Sequence, residues 1–478
     1  MDPDRESSLE HRGAGDATPQ PPPRAGDRPA AVPPRPSSGG TAGRPPAARV
    51  PRETRLDSYV DRYATRTHGM AASEIRALFS VASRPEVVSL AGGMPNISGL
   101  PLDVVGDLVH TLVLGHGGHA MQYSSGQGEP RLREQICEVM RLEGVEAHPD
   151  DVVVTVGSQQ AVDLVTRLFC DPGDVVLCEA PSYVGALGVF RAYECEVVHV
   201  EMDDDGLRPD ALRQALQAIA DAGRRAKFLY TIPNYHNPAG VSLSTPRRAE
   251  VLEICREADL LVLEDNPYGL LGFTDEPFRA LRADDPERVL YLGSFSKTFA
   301  PGLRVGWAVA PHAVREKLVL AQESATLCPP TFSQAVVSAY LAGHDWRGQI
   351  KAFREMYRER RDAMLESLED LMPPGTTWTV PQGGFYVWLT LPEGLDAKAM
   401  LPRAVTERVA FVPGTAFYAD GFGSQCMRLS YCHPTPERIR EGVRRLAAVI
   451  EQEMQLRETF GAGRASLPTY DTPNPDLT

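Results

Sequence analysis

Short apolar runs alternate with helical patterns through the middle of this sequence, and this alternation limits the possible folds more than any other feature. The β-branched run Val152–Val156 stops at Gly157, and apolar residues then recur with helical spacing over 161–169. Similar runs occupy residues 175–178, 228–232, 260–263 and 289–292, with helical patterns between them at 209–222 and 246–258. Repeated β-α units predict an α/β fold with a large, mainly parallel sheet and helices on both faces.

The pattern changes after about residue 330. Long helical patterns and two strand-like segments follow one another, at 349–371, 384–389, 427–430 and 436–454. Elements mixed in this way predict a second, smaller α+β domain over 331–456. The alternating region before it, 101–330, is the predicted large domain.

Both ends of the chain lack aliphatic periodicity. Residues 1–53 are rich in Pro, Gly, Ala and Ser, a composition that predicts a disordered tail. Its arginines raise the alternative of a transit peptide, but acidic residues and prolines disfavour the amphipathic helix that import requires. A solvated extension is therefore favoured, and the same argument predicts a second tail at 457–478.

The charge balance excludes several classes of function. The 478 residues include 49 basic and 63 acidic side chains, a formal charge of −14, and no Lys- or Arg-rich run. We expect no nucleic-acid or membrane partner for such a chain, and a small metabolite is favoured. No apolar stretch approaches the ~20 residues of a bilayer span. The eight cysteines show no Cys-x-x-Cys spacing, which favours reduced thiols and a cytoplasmic location.

Reactive side chains follow four of the predicted strands. Ligands of parallel sheets bind at the carboxyl ends of the strands, so these are the positions where chemistry is expected. In chain order they are Ser158 and Gln159, Asn237 in Asn-Pro-Ala-Gly, Asp265 with Tyr268, and Ser294-Phe-Ser296-Lys297 followed by Arg304. A carboxylate and a lysine thus leave neighbouring strand ends, and an arginine comes seven residues after the lysine.

In this order and combination, the segments make the chain resemble the fold-type I pyridoxal-phosphate (PLP) aminotransferases of class I/II, over about residues 54–456. Within that family it is similar to the 2-aminoadipate/kynurenine aminotransferase branch. The resemblance implies PLP as cofactor and an N-terminal arm, 54–100, that contributes to the small domain and the substrate site. Two positions depart from the family pattern, which often has Gln at His236 and Thr at Ala239.

The resemblance implies a role for each residue near the cofactor. Lys297 is expected to form a Schiff base with the aldehyde and to move the substrate's α-proton. Asp265 is expected to keep the pyridine nitrogen protonated, so that the ring accepts electrons. Tyr268 and Asn237 are expected to donate hydrogen bonds to the ring oxygen, and Tyr183 to stack on the ring. The expected phosphate ligands are Arg304, Ser294, Ser296, Ser158 and Gln159.

Each of these residues, taken alone, has a simpler interpretation. Lys297 could be a surface lysine, and Tyr183 a core tyrosine. Asp265 and Asn237 could be turn residues, and Ser158 could cap a helix. The joint spacing of the motifs favours the functional interpretation over these alternatives.

Substrate binding is inferred from the later part of the chain and from the arm. Arg428 is the expected ligand of the substrate α-carboxylate, because a guanidinium offers a planar fork of donors; a structural ion pair is the alternative. Gly93 is expected to let the backbone approach that carboxylate, beside Asn237. The resemblance implies a homodimer in which Tyr123 reaches the neighbouring subunit's phosphate. Arg76 has two equal interpretations, a ligand for a distal substrate carboxylate or a solvated helix residue.

The predicted function is transfer of an amino group between an L-amino acid (2-aminoadipate-like, aromatic or branched) and a 2-oxo acid such as 2-oxoglutarate. A PLP-dependent β-lyase or decarboxylase on the same fold is the alternative, and an aminotransferase-like sensor of a transcription regulator is a remote one. No metal is expected: His116 and His119 lack Cys, Asp or Glu companions, so an exposed turn is predicted there.

Overall fold

The computed structural model describes residues 59, 61–69, 84–274 and 276–460. The tail predicted at 1–53, the greater part of the second tail, and Arg76 lie outside the described residues. A short strand, β1 (Val88–Ser89), and two helices, α1 (Leu102–Ala120) and α2 (Pro130–Met140), precede the main sheet.

The main sheet has eight strands. They are β2 (Val152–Val156), β3 (Val175–Ala180), β4 (Glu196–Asp203), β5 (Gly206–Leu207), β6 (Ala226–Thr231), β7 (Leu261–Asp265), β8 (Val289–Ser294) and β9 (Val305–Val309). Their order is β2-β9-β8-β7-β6-β3-β4-β5, and the pairs from β8 through to β4 are parallel. Strand β9 runs antiparallel between β2 and β8, and β5 is antiparallel to β4.

Helices cover both faces of this sheet. They are α3 (Gly157–Phe169), α4 (Val184–Ala192), α5 (Pro209–Asp221), α6 (Thr245–Glu257), α7 (His312–Thr326) and α8 (Thr331–Gly343). Alternate residues of a strand face opposite sides. Leu177 of β3 belongs to one buried cluster with residues of α5 and α6, and its neighbour Cys178 belongs to another with residues of α3 and α4. This arrangement explains why the strands are continuous apolar runs.

The later part of the chain forms a smaller layer. Its elements are α9 (Trp346–Leu371), β10 (Thr377–Trp378), β11 (Tyr386–Thr390), α10 (Ala397–Thr406), β12 (Val409–Ala410), β13 (Val412–Pro413), β14 (Cys426–Ser430) and α11 (Pro436–Phe460). Strands β10-β11-β14-β13 form an antiparallel sheet, and β12 pairs in parallel with β1. Helices α9 and α11 pack against each other. A smaller α+β layer is therefore present, as predicted.

The predicted strands and helices occur within a few residues of their expected bounds, with three differences. The histidines at 116 and 119 lie in the kinked end of α1 rather than in a turn, although both are exposed. Helix α11 continues to Phe460, so residues 457–460 belong to the helix rather than to the predicted tail. The remaining elements had no predicted counterpart, namely strands β1, β4, β5, β9, β10, β12 and β13 and helices α1, α2, α4, α7, α8 and α10.

No helix among the described residues combines the length and apolar character that a bilayer span requires. All eight cysteines are free thiols, six of them buried.

Candidate active site

The carboxyl ends of the parallel strands meet at one cavity of about 400 Å³. Asp265 is the last residue of β7 and Ser294 the last of β8, and these strands are neighbours. Because β9 is antiparallel to β8, Arg304, which immediately precedes it, lies at the same edge of the sheet. Of the predicted site residues, the cavity is lined by Gly93, Ser158, Gln159, Tyr183, Asn237, Asp265, Tyr268, Ser294, Ser296, Lys297, Arg304 and Arg428.

Lys297 has its amine inside this cavity. The Nζ atom donates a 2.9 Å hydrogen bond to the carbonyl oxygen of Gly93 and lies 5.6 Å from the centre of the Phe385 ring. The pKa of Lys297 is lowered to about 8, mainly by burial; the cations Arg428 and Arg304 contribute to this lowering, and Cys432 and Asp265 oppose it. A large fraction of the amine is therefore neutral near pH 8, which is the form that can act as a nucleophile or a base.

Asp265 presents one free carboxylate oxygen to the cavity. Its side chain is almost fully buried, and Oδ2 accepts a 2.8 Å hydrogen bond from the hydroxyl of Tyr230. The other oxygen, Oδ1, is buried and has no hydrogen-bond partner among the described residues. Burial raises the pKa of Asp265 to about 6, against the opposing effects of Tyr230, Ser158 and Lys297. A buried carboxylate oxygen of this kind needs a donor to offset its lost hydration.

A basic pocket lies at the start of α3. Arg304 donates to the hydroxyl of Ser296 at 3.3 Å, and Ser296 accepts a 2.9 Å hydrogen bond from Ser294. Gly157 has φ +71, and a Cβ there would lie 2.4 Å from an Arg304 nitrogen. Within the described part of the chain, no carboxylate pairs with Arg304. A guanidinium, two hydroxyls and a helix N-terminus together suit a phosphate group.

Arg428, on β14, also lines the cavity. One terminal nitrogen donates to Oδ1 of Asn237 at 2.9 Å, and the other donates to the carbonyl of Ala91 at 2.8 Å. Its guanidinium lies 4.2 Å from the centre of the Tyr386 ring and 5.0 Å from that of Phe417. Its Nε atom is buried, and no described residue forms a hydrogen bond with it. None of the described carboxylates pairs with Arg428, so its charge is available to an anion in the cavity.

Aromatic side chains close the space between these groups. The ring of Tyr268 packs edge-on to Tyr386, and their hydroxyls are 3.5 Å apart. Gly93 leaves room for the hydroxyl of Tyr386, because a Cβ at position 93 would lie 2.3 Å from that oxygen. Tyr183 immediately precedes α4 and lines the cavity beside Asp265.

One predicted site residue of the described part of the chain, Tyr123, does not line this cavity. It follows α1 and is 75% exposed. Arg76 lies outside the described residues. Metal-binding groups of three or more His, Cys, Asp or Glu residues do not occur in the part of the chain that the structure describes.

The sequence prediction missed three residues of the site. Tyr230 lies inside a buried strand, and its role depends on a neighbouring strand bringing Asp265 within reach. Tyr386 and Phe417, whose rings flank Arg428, are likewise parts of apolar patterns that indicate core positions. One sequence signal could have indicated Tyr230: if β6 and β7 are predicted to be neighbours, Tyr230 comes near Asp265 at the end of β7.

Comparisons with known proteins agree with this geometry. The profile of the family described as aminotransferase class I and II matches residues 91–446. Aromatic-amino-acid aminotransferase 1 of Thermococcus litoralis is 43% identical over 400 residues, covering 83% of this chain and 96% of that protein. The 2-aminoadipate transaminase of Thermus thermophilus is 38% identical over 389 residues, covering 80% of this chain and 95% of that protein.

A solved structure gives the same result for the fold. The kynurenine aminotransferase of Pyrococcus horikoshii, in complex with PMP, matches with a TM-score of 0.80 and 38% sequence identity. The match covers 83% of this chain and 99% of that one. The predicted α/β fold of type I and the resemblance are thereby confirmed. The chain belongs to the class I and II aminotransferases.

Proposed function

We propose that this aminotransferase, with PLP as its cofactor, exchanges amino groups between an L-amino acid (2-aminoadipate-like, aromatic or branched) and a 2-oxo acid such as 2-oxoglutarate. One observation carries the proposal. Four groups line one cavity: an amine with a lowered pKa, a carboxylate whose second oxygen has no donor among the described residues, and two cations that pair with none of the described carboxylates. These are the groups that an aldehyde, a pyridinium nitrogen, a phosphate and a substrate carboxylate require.

The residues present fit PLP. The free Oδ1 of Asp265 is an acceptor for a protonated ring nitrogen, and Arg304 with the start of α3 is a site for the phosphate. Asn237 already accepts a hydrogen bond from Arg428 through Oδ1, which leaves its amide nitrogen as a donor for the ring oxygen. When bound, PLP supplies an electron-accepting ring that makes the α-proton of an amino acid acidic.

The chain's own groups perform the remaining tasks. Arg428 binds the substrate α-carboxylate and so fixes the α-carbon near Lys297. The neutral amine of Lys297 would then remove the α-proton and deliver it to C4′, the carbon that was the cofactor's aldehyde, a task that a pKa of about 8 suits. Positioned proton transfer of this kind typically accelerates a reaction by ~10²–10⁴-fold.

The walls near the substrate side chain are mainly apolar. Met94, Val184 and Ile232 line the cavity together with Tyr183. The described cations of this cavity are Lys297, Arg304 and Arg428, and each has a task already. Aromatic and branched donors therefore suit the described walls, and a distal carboxylate such as that of 2-aminoadipate requires a further cation, for which we propose Arg76.

The assembly and location are also proposals. We propose a homodimer in which Tyr123 of each subunit contributes to the other's phosphate site. Its ring and the side chains of Leu102, Leu114 and Met121 are exposed apolar groups of one region of the chain, at 64–75% exposure. We further propose a cofactor domain at 101–330, a small domain at 331–456 and a cytoplasmic location, which free cysteines favour.

A panel of amino donors with 2-oxoglutarate tests the function. We expect glutamate to form in proportion to a new 2-oxo acid, and Lys297→Ala to lose both the absorbance near ~420 nm and turnover. Release of ammonia or carbon dioxide instead of glutamate would indicate the lyase or decarboxylase alternative. Retention of colour and turnover by Lys297→Ala would refute the assignment of Lys297.

A further inference from the structure

A buried acid and a buried histidine lie behind the carboxylate site without a task in the proposed reaction. Glu179 is in β3, one residue before its end, and His236 is in the loop that follows β6. Both side chains are 1% exposed, and Nε2 of His236 lies 3.0 Å from Oε2 of Glu179. Because burying a charged group is costly, a pair of this kind requires compensating contacts.

Glu179 has such contacts on the neighbouring strand. Its Oε1 accepts a 2.7 Å hydrogen bond from the hydroxyl of Thr231, and its Oε2 accepts a 2.9 Å bond from the amide of Ile232. The carboxylate is therefore fixed at the end of β6, at the point where the chain enters the loop.

His236 is fixed on its other side by the loop itself. Its Nδ1 accepts a 3.2 Å hydrogen bond from the amide of Ala239, so the neutral ring carries its proton on Nε2. That nitrogen is in close contact with Oε2 of Glu179, at 3.0 Å, although the angle is not that of a hydrogen bond. Two backbone bonds close the same loop: the amide of His236 donates to Val241 at 2.8 Å, and the amide of Gly240 donates to His236 at 2.6 Å. The side chain thus joins the middle of the loop to the sheet.

Asn237 is the residue that this loop presents to the cavity. Its Oδ1 accepts the 2.9 Å hydrogen bond from Arg428, and the two side chains line the cavity together. Any shift of the loop moves Asn237 and removes one of the two bonds that orient the guanidinium. A misplacement of about 1 Å at such a site can reduce a rate by ~10²-fold.

We propose that Glu179 and His236 form a positioning pair that sets Asn237, and through it Arg428, for the substrate α-carboxylate. The inference rests on the proposed function, because it assigns the carboxylate to Arg428. The family often has Gln at position 236, and a glutamine can reproduce both contacts, with its amide nitrogen toward Glu179 and its oxygen toward Ala239.

The test measures carboxylate binding to the PLP-loaded enzyme. The probe is 3-phenylpropionate, which has no amino group and does not react, and its dissociation constant is read from the cofactor absorbance. We expect His236→Leu to weaken binding by roughly tenfold and to raise KM more than it lowers kcat, with His236→Gln within about threefold of wild type. Glu179→Gln places a donor against the ring proton, so it should weaken binding similarly, and the double variant Glu179→Gln/His236→Leu should be no worse than either.

A matched control separates positioning from general loss of stability. Leu212→Ala removes a buried side chain of α5 on the far side of the sheet and should lower the melting temperature without changing probe affinity. If His236→Leu does not fold, His236→Asn serves instead, since its shorter amide cannot reach both partners.

The outcomes distinguish the two proposals. Equal probe affinity in wild type and His236→Leu, or equal losses in His236→Leu and Leu212→Ala, would overturn the positioning pair alone. A wild-type enzyme that neither binds the probe nor forms glutamate would overturn the proposed function, and the positioning pair with it.

Discussion

The side chains of Asp265 and Lys297, which line the same cavity, both have shifted pKa values. Burial raises that of Asp265 to about 6 and lowers that of Lys297 to about 8, because loss of hydration penalises the charged form of each. Perturbed groups of opposite type in one cavity are typical of functional sites, although structural networks also produce them. Here the geometry supports the functional interpretation as well, because Oδ1 of Asp265 is buried and has no donor among the described residues.

Tyr230 controls the charge of Asp265. Its hydroxyl donates to Oδ2 at 2.8 Å and lowers the pKa of the carboxyl. Tyr230→Phe should therefore raise that pKa, so that the carboxylate is lost at a higher pH and the acid limb of the kcat/KM profile moves upward. We also expect PLP affinity to fall by roughly tenfold. Tyr340→Phe, which removes a buried hydroxyl without a partner, is the control and should leave the profile unchanged; an unmoved acid limb in Tyr230→Phe would contradict the role.

Tyr386 supports Arg428 with its ring rather than with its hydroxyl. The guanidinium lies 4.2 Å from the ring centre, a geometry that contributes about 0.5–2 kcal/mol. Tyr386→Phe should therefore retain the KM for amino acids, whereas Tyr386→Leu should raise it several-fold. Initial rates over a range of donor concentrations measure both constants. A KM that rises equally in the two variants would assign the effect to the hydroxyl instead.

At the scale of elements, the start of α3 joins backbone conformation to anion binding. Gly157 has φ +71, and a Cβ there would lie 2.4 Å from Arg304. Gly157→Ala should therefore displace the guanidinium and weaken PLP binding by tenfold or more, in addition to the conformational cost of about 1 kcal/mol. Gly173→Ala is a matched control with φ +88 and open space around the added atom. Gly173→Ala should lower the stability of the protein without changing its affinity for PLP. PLP titration measures the affinity, and thermal unfolding measures the stability.

The sequence could predict some of these elements and not others. Apolar runs located the central parallel strands within a few residues, because strands buried on both faces must be continuously apolar. The residues after their ends included Asp265 and Lys297 as candidates, and the spacing after Lys297 added Arg304. The roles of Tyr230 and Tyr386 could not be predicted, since a tyrosine in an apolar run has the same pattern whether its hydroxyl contacts a catalytic group or the core. Strand β9 was also missed, although its antiparallel direction is what brings Arg304 to the site.

At the scale of the whole molecule, one histidine connects the two sheet layers. Nδ1 of His199, on β4, donates to the carbonyl of Glu179 at 2.9 Å, and its Nε2 accepts a 2.9 Å hydrogen bond from the amide of Ala419, close to Phe417. Burial lowers the pKa of His199, while Glu179 and Asp420 oppose this effect. When the imidazole is protonated, both ring nitrogens carry a proton and neither can accept the hydrogen bond from the Ala419 amide. The contact between the layers therefore requires the neutral form of His199.

The sign of the pH dependence follows from this shift. Below the unfolded pKa of about 6.5, the unfolded chain binds a proton at His199 before the folded chain does, so stability falls as the pH decreases toward the lowered folded pKa. His199→Gln should flatten this decline below about pH 6.5 in urea unfolding experiments. His433→Gln, at an exposed histidine, should keep the wild-type slope. Identical slopes in wild type and His199→Gln would exclude His199 as the cause.

The proposed homodimer can be tested by complementation between two variants. If each site takes Lys297 from one subunit and Tyr123 from the other, two inactive variants can restore each other. In a heterodimer of Lys297→Ala and Tyr123→Ala, one site carries both defects and the other carries neither. Random reassociation of equal amounts makes half of the dimers mixed, so about a quarter of the wild-type activity should return. Each variant alone, carried through the same dissociation and reassociation, is the control. Activity that stays at the sum of the separate variants would show that each chain forms its site alone.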